Sequence, residues 1–576
     1  MPTLRVIHPT PAIVSQAAVR RFPRSVLLLF CLAYVLSGFV GRDAWKSADM
    51  AALGYMAELA FGNAKWLSPT LAGLPTDNPA LMPYWLGAWA MQIAPSWLAT
   101  DFAARIPFAL LLGLAFVATW YGTYYLARRP QAQPVAFAFG GEALPADYAR
   151  AMGDGALLAL IACLGLAQLS HETTPALAQL GFSALFFYAM SALPYHRTAP
   201  AIGGVVGLAG LMLSGAPTLA LLFGVGSAMV HALDRNNGTT TGTDPKLRPL
   251  ASLWESVAIL VWTAACSLAA TQLDLWRWKI EMPHALLADW NGYAQLLVWF
   301  TWPALPLALW TVWRWRHQFF SKSVHRHLLL PAWFVVVCLA ATVTTGSPDR
   351  TLLLALPALA TLAAFALPTL KRQMASLIDW FTLLFFSGCG LTIWVVWIAM
   401  QTGFPSQPAA NVARLAPGFE ASFSTFAFSM ALLATAAWAW LVQWRVGRHR
   451  AAIWKSLVLP AGGAGLCWLL LMTLWMPLLN YGQSYTTLVK RTVQELNRPG
   501  CVETWGLSAG QMAAFQFYGR LELKVARSAP VCPWMLAEPG PDGLSPIGVS
   551  PAQWVLKTRI NHPVDGSESV LLFRRR

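Results

Sequence analysis

Charge is scarce in this sequence. Asp, Glu, Lys and Arg make up 11% of its 576 residues, against 57% hydrophobic residues. A water-soluble chain of this length would need more charge to cover its surface, so a soluble enzyme is excluded. Internal repeats and low-complexity tracts are also missing, and the second half does not mirror the first. That argues against a transporter built from two related halves with broken helices near the bilayer midplane. The first apolar run, 25–40, lacks a convincing small-x-small cleavage site, so we expect it to remain as a span rather than be removed as a signal. No cluster of closely spaced His, Cys and acidic residues marks a metal site.

What the sequence does have is apolar runs, most about 18–25 residues long, each sufficient to cross roughly 30 Å of hydrocarbon. In that medium the backbone must satisfy its own hydrogen bonds, so the runs are expected to be helices. They fall near 25–41, 102–127, 155–170, 175–194, 200–213, 217–233, 250–271, 294–312, 329–345, 351–370, 376–401, 425–444 and 456–478, about thirteen spans. The net charge of +15 would suggest nucleic acid only if its position were ignored. With a cytoplasmic N-terminus, the connections on that side carry about half of the 40 Lys and Arg. Those connections are the arm 1–24 and the segments near 128–154, 195–199, 234–249, 313–328, 371–375 and 445–455, and the asymmetry is what the positive-inside rule requires. The segment 130–150 reads as an ordinary loop and 236–246 as a flexible one.

An odd number of spans puts everything after 478 on the far side. The expected fold is thus an all-α polytopic membrane domain, 1–478, followed by a small soluble α/β domain, 479–576. In the latter, Trp554–Ile560 and Ser569–Arg575 read as strands and 485–498 as a helix. Six of the eight cysteines lie in spans. The other two, Cys501 and Cys532, share the outside domain, where an oxidising bacterial periplasm would pair them.

The first loop, 42–101, is unusual. It is too polar to span a bilayer and too apolar to be a solvated loop. Two weakly amphipathic helical pieces, 44–61 and 79–94, flank a Pro/Gly-rich middle. We expect it to lie on the membrane surface and roof a site, with Asp43 at the end of the first span. Other ionisable residues collect at the same boundary: Lys46, Arg105 at the start of the second span, His171 and Glu172 in a very short turn, and Asp349 and Arg350 in another. Ionisable groups at that depth are costly and suggest function. Asp43 is suited to act as a general base. Lys46, Arg105 and Arg350 are suited to hold a phosphate and stabilise leaving-group charge; Arg105 also reads as a structural residue that ties the surface loop to the second span. Glu172 with His171 would position an acceptor, or share a divalent cation with Asp43, although one His and two distant acids make a weak metal set. Asp49 reads as part of a solvated face, and the many Trp residues as interfacial belt.

These residues sit in a pattern. Asp43 follows the first span. Trp66-Leu67-Ser68-Pro69, Leu71 to Pro75, Pro79 to Trp85 with Tyr84, and Ala104-Arg105-Ile106-Pro107 come next, and Trp302-Pro303, Pro306 and the stretch Arg350 to Pro357 later. The pattern resembles the GT-C glycosyltransferases, in the subgroup of the bacterial aminoarabinose transferase and the protein O-mannosyltransferases, along nearly the whole chain. The resemblance implies inverting transfer of a sugar from a polyprenyl-phosphate donor to a membrane lipid or glycan, or a protein, at the periplasmic face of the bacterial inner membrane. It implies Asp43 as the acid-base residue, Glu172 as a second acidic residue, and Tyr84 among the substrate-binding residues. The chain has Ala44, Lys46, Asn78 and the turn Ser214-Gly215-Ala216-Pro217 where the family usually has Glu, Arg, Lys and a lysine-bearing turn. Two phosphate-binding lysines therefore have no counterpart. The alternatives are a lipid-linked sugar flippase and a non-catalytic envelope assembly factor.

Overall fold

The structure is a computed structural model that describes residues 10–235, 253–276, 287–321, 323–447, 452–496, 500–527, 529–540, 546, 549–566 and 568–576. The flexible stretch expected at 236–246 and the start of the span expected at 250–271 lie outside those residues. After α1 (Arg24–Phe39) come two surface helices, α2 (Ala48–Ala60) and α3 (Met82–Ile93), and the long α4 (Thr100–Ala127). Short connections then join α5 (Pro145–Ala162), the one-turn α6 (Leu166–Leu169), α7 (Pro175–Ala192), α8 (Thr198–Leu213) and α9 (Pro217–Arg235), ahead of α10 (Leu253–Gln272). The helices α11 (Leu287–Thr301) and α12 (Ala304–Arg314) meet at a 92° bend at Trp302–Pro303, where a proline without an N–H interrupts the ladder. The helical body is completed by α13 (Arg316–Phe319), α14 (Arg326–Val343), α15 (Pro348–Leu353), α16 (Leu356–Ala366), α17 (Arg372–Thr402), α18 (Ser406–Leu415), α19 (Thr425–Gly447) and α20 (Lys455–Leu474).

Eight of the described helices are long and apolar enough to cross a membrane, nine if the bent pair counts as one span. The chain is a polytopic membrane protein. The expected number of about thirteen spans is not reached on length and composition, although each expected run overlaps a helix. The reason is packing. Helices such as α8 and α16 are short, and α16 is buried along its whole length, so its length is fitted to neighbouring helices rather than to the bilayer. By contrast only 11% of the apolar window of α19 is buried inside the protein, as a lipid-facing helix requires. Small residues set the tightest crossings: a Cβ on Gly207 of α8 would stand 2.8 Å from the Phe186 backbone nitrogen in α7.

At one end of the bundle, residues 12–16 pair with the loop expected to be ordinary, through Val135 N–H to the Ala12 carbonyl (3.0 Å) and Ala143 N–H to the Val14 carbonyl (3.0 Å). At the other end, α2 and α3 lie as the two surface helices expected in the first loop. Its Pro/Gly-rich middle forms a small hairpin of β1 (Thr70–Leu71) and β2 (Leu74–Pro75), turning at Ala72 and Gly73, both with positive φ.

The chain leaves α20 through α21 (Met476–Gln483) and α22 (Thr486–Glu495) into a mixed sheet of β3 (Val502–Trp505), β4 (Leu523–Val525), β5 (Trp534–Ala537), β6 (Trp554–Asn561) and β7 (Ser569–Arg575), with α23 (Ala509–Phe517) between β3 and β4. The strand order is β4-β3-β5-β7-β6; β3 is parallel to β4 and β5, and β7 is antiparallel to β5 and β6. Both strands and the helix read from the sequence are present. A disulfide joins Cys501 to Cys532, with 5.4 Å between Cα atoms. The domain sits on α2 through α23. A Cβ on Gly54 would lie 2.4 Å from that of Ala513, and one on Gly510 would lie 2.7 Å from the Ser47 carbonyl oxygen. Only glycine at these two positions allows such an approach.

Candidate active site beneath the first loop

The centre of the first loop is a residue that sequence reading passed over. Asp49 lies in the first turn of α2 and is 4% exposed. Its carboxylate accepts from Arg42 Nη2 (2.8 Å), the Trp45 N–H (3.1 Å), the Thr173 N–H (2.7 Å) and Thr173 Oγ1 (2.6 Å). Arg42, also buried, donates to the His171 carbonyl (2.6 Å) and stacks over Trp45 at 4.0 Å. Arg105 donates to the Arg42 carbonyl and to Asp101 (3.2 Å). One buried ion pair therefore joins the end of α1, the surface helix α2, the start of α4 and the turn before α7. Burial lowers the Arg42 pKa, and the Asp49 and Glu172 charges oppose that shift. The sequence offers one clue, a lone acid on the mainly apolar face of a short helix, but it reads the same as a solvated residue.

Glu172 and Arg350, expected at one boundary, do meet: Arg350 Nη2 lies 3.0 Å from Glu172 Oε2. Burial, and next the Asp49 charge, raise the Glu172 pKa, while Arg350 and Arg42 pull it down. Arg350 also lines a cavity of about 490 Å3. Asp77, Asn78, Gln179, the Ser214–Thr218 turn, Thr345, Ser347 and Thr351 form its polar wall. The two places where the sequence resemblance implies lysines, Asn78 and Ser214–Pro217, thus face this same space.

Asp43 stands apart from that pair. Its Oδ2 accepts from Thr486 Oγ1 (3.1 Å), and its N–H donates to Asn480 Oδ1 (3.1 Å). Among the described residues no cationic side chain pairs with it. The Tyr518 hydroxyl accepts from the next N–H, that of Ala44 (3.4 Å). Burial raises the Tyr518 pKa, and the Asp43 charge is the next cause.

Three residues expected at the site, Lys46, Tyr84 and His171, turn out to be structural, and Arg105 is the tie between loop and span that was also expected of it. Lys46 does not face the cavity; it binds Asp565 (2.7 Å) and its N–H donates to the Gln483 carbonyl (2.7 Å), clamping the loop to the C-terminal domain. Arg105 ties α4 to the loop through the contacts above. Tyr84 is buried against Tyr55, ring centroids 5.2 Å apart, on the face of α3 that also buries Pro83, Gly87, Ala88 and Met91. His171 is wedged between Tyr34, Phe39 and Trp468. Its two ring nitrogens face the Ala167 (2.5 Å) and Tyr34 (3.1 Å) carbonyls, which leaves neither for a metal. The set Asp43, Glu172 and His171 is accordingly not assembled, and among the described residues no three His, Cys, Asp or Glu side chains converge on a metal position.

His171 makes a stability prediction. Burial lowers its pKa from 6.5 to about 4. Below pH 6.5 the unfolded chain binds a proton that the folded one refuses. Stability is therefore undiminished above pH 6.5 and falls as pH drops toward 4, by about 3 kcal/mol in all. His562, lowered by burial, adds to the loss with the same sign. Thermal unfolding between pH 7 and pH 4 should show a decline that His171→Gln makes shallower; parallel profiles would refute it.

No family model matches the sequence, and no curated protein matches it. Solved structures do. The crystal structure of ArnT from Cupriavidus metallidurans bound to undecaprenyl phosphate is similar with a TM-score of 0.59 at 13% identity, covering 96% of this chain and 98% of that one. The apo ArnT structure from the same organism gives a TM-score of 0.55 at 13% identity, with the same coverage. The likeness takes in the helical body, the surface loop and the C-terminal sheet domain alike, so the chain has the GT-C membrane fold of ArnT along nearly its whole length.

Proposed function

We propose that the protein is an inverting glycosyltransferase that takes a sugar from a polyprenyl-phosphate donor. The observation that carries this reading is the cavity beside Arg350. A guanidinium held at one side by Glu172, with the hydroxyls of Thr345, Ser347 and Thr351 on the same wall, suits a phosphate, for which planar multi-donor recognition is strongest. In this reading the donor phosphate sits there without the family's two lysines, and Arg350 stabilises the charge that grows on it as the sugar leaves. Glu172 positions Arg350. Asp43 is the base that takes a proton from the acceptor hydroxyl as that oxygen attacks the sugar carbon. The side carrying the first loop and the C-terminal domain is the periplasmic side of the inner membrane, with the N-terminus cytoplasmic; the Cys501–Cys532 disulfide supports this. The acceptor is a membrane lipid, a glycan or a protein. A divalent cation shared by Asp43, Glu172 and His171 does not fit, because both His171 ring nitrogens face carbonyls and the three side chains do not converge.

The test is transfer itself. Protein purified in detergent is incubated with native membrane lipid extract, and mass spectrometry follows loss of polyprenyl-phosphate sugars and the mass gained by an acceptor. Transfer by the wild type is the expected result. Loss of polyprenyl-phosphate sugar with no mass gained anywhere, or no loss at all, would overturn the reading. Arg350→Gln should weaken binding of undecaprenyl phosphate about tenfold or more, since a hydrogen bond to a charged group contributes roughly 1.5–3 kcal/mol. Unchanged affinity would remove Arg350 from the phosphate site.

A further inference from the structure

A second, larger cavity lies outside this site. A cleft of about 1000 Å3 opens between α2, the first turn of α4 and the α23–β4 segment of the C-terminal domain. Its walls are Glu58 near the end of α2, Phe61 and Asn63 just after it, Thr100 and Asp101 of α4, and Gln516, Phe517, Tyr518 and Arg520 to Leu523 of the domain. Nothing deeper in any span than that first turn of α4 contributes, so the cleft lies above the apolar body, in the aqueous layer.

Its chemistry is biased in one direction. The Glu58 carboxylate receives only a long contact from the Asn63 amide (3.4 Å), and burial raises its pKa. Gln516 Oε1 is shielded from solvent and has no hydrogen-bond partner. Among the side chains on the wall, Asp101 already holds Arg105, and Glu522 holds Lys524 (3.0 Å). Arg520 stands exposed on the same wall and brings donors at the rim, but the shielded atoms with capacity to spare inside the cleft, the Glu58 carboxylate and Gln516 Oε1, are acceptors, and a buried acceptor without a donor is costly. A phosphate, which brings only acceptors at its ionised oxygens, could meet Arg520 at the rim but would leave the two inner acceptors without donors. A sugar brings hydroxyl donors, and its C–H faces suit the rings of Phe61, Phe517 and Tyr518. Tyr518 belongs to both places: it lines the cleft, and its hydroxyl touches the Ala44 N–H beside Asp43.

We infer that this cleft is the acceptor subsite, and that it takes an unphosphorylated, hydroxyl-rich glycan segment presented from the aqueous side. The inference rests on the transferase reading above. Donor and acceptor then approach from two different cavities, the donor from the Arg350 side and the acceptor from the Tyr518 side, with the Arg42–Asp49 pair between the elements that line them.

The experiment uses the full-length protein in detergent with polyprenyl-phosphate sugars as donor. Envelope glycan extract is split by anion exchange into an unphosphorylated, unretained fraction and a phosphorylated, retained one. Wild type should glycosylate the unretained fraction. Asn63→Trp, at an exposed position that tolerates the ring, should plug the cleft and lower that transfer at least tenfold. Glu58→Leu should raise the acceptor concentration needed for half-maximal rate severalfold with little change at saturation. Both variants should bind undecaprenyl phosphate as wild type does, which shows that they are folded. Transfer by wild type only to the retained fraction, or full transfer by Asn63→Trp, overturns the acceptor assignment and leaves the transferase reading standing. Transfer to neither fraction by wild type that binds undecaprenyl phosphate overturns both.

Discussion

Asp43→Asn should lose sugar transfer by about two to four orders of magnitude, the usual worth of a positioned general base, and keep its fold. The amide has nearly the same shape as the carboxylate. Thr486 Oγ1 can still donate to its oxygen, and the Asn480 contact is made by the backbone N–H, so the loop has no reason to move. What is lost is the ability to take a proton. The carboxylate is well placed for that task because the cations nearest in sequence are occupied, Arg42 by Asp49 and Lys46 by Asp565, and a base clamped in an ion pair would be a poorer one. Thr486→Val should have a milder effect, since it removes an orienting hydrogen bond and leaves the carboxylate. The measurement is the initial rate of polyprenyl-phosphate sugar loss, with the thermal unfolding midpoint as the control for folding. Equal rates for wild type and Asp43→Asn would remove Asp43 from the chemistry, and the flippase and assembly-factor readings would then come forward.

Asp49→Ala should be the most destabilising single change in the first loop. It leaves the Arg42 guanidinium buried, 3% exposed, with the His171 carbonyl as its remaining partner and Thr173 with a backbone N–H and a hydroxyl unsatisfied. Breaking a buried ion pair from one side costs about 3–5 kcal/mol, whereas replacing both partners by apolar groups is often far cheaper. The double variant Asp49→Ala/Arg42→Met should therefore unfold at a higher temperature than Asp49→Ala alone. Because the pair joins α1, α2, α4 and the turn carrying Glu172, the single variant should also lose binding of undecaprenyl phosphate. A loss of stability below about 1 kcal/mol would show that solvent or neighbouring groups compensate for the missing carboxylate, contrary to the burial described.

The corrections have a common cause. Lys46 reads as a phosphate ligand, and Arg105 as either a ligand or a tie to the loop, because their side of the membrane and their charge are legible while their partners are not. Lys46 finds Asp565 more than five hundred residues downstream, and no local pattern encodes that choice. Arg105 is taken by a backbone carbonyl of the loop, and His171 by two carbonyls, one of them on α1. Polar groups at a crowded boundary bind whatever acceptor the packing brings first, and at this boundary most acceptors are main-chain atoms freed at helix ends. Arg350, in the short helix α15, and Glu172, in the turn before α7, are instead brought within 3.0 Å of each other.

By itself the sequence determined that the chain is a membrane protein. It also determined where its helices lie, that the first loop carries two surface helices, and which segments of the soluble domain are strands. These follow from hydropathy, run length and periodicity, properties each segment carries alone. Only the tertiary structure decided the number of long spans, because helices buried among helices need not match the bilayer. It also decided that Asp49, expected on a solvated face, anchors the loop through a buried ion pair, that Asp43 faces the C-terminal domain while Glu172 faces Arg350, and that a cleft lies between α2 and α23. Those outcomes depend on which distant groups come within about 3 Å of one another, and only the packing of the whole chain sets that distance.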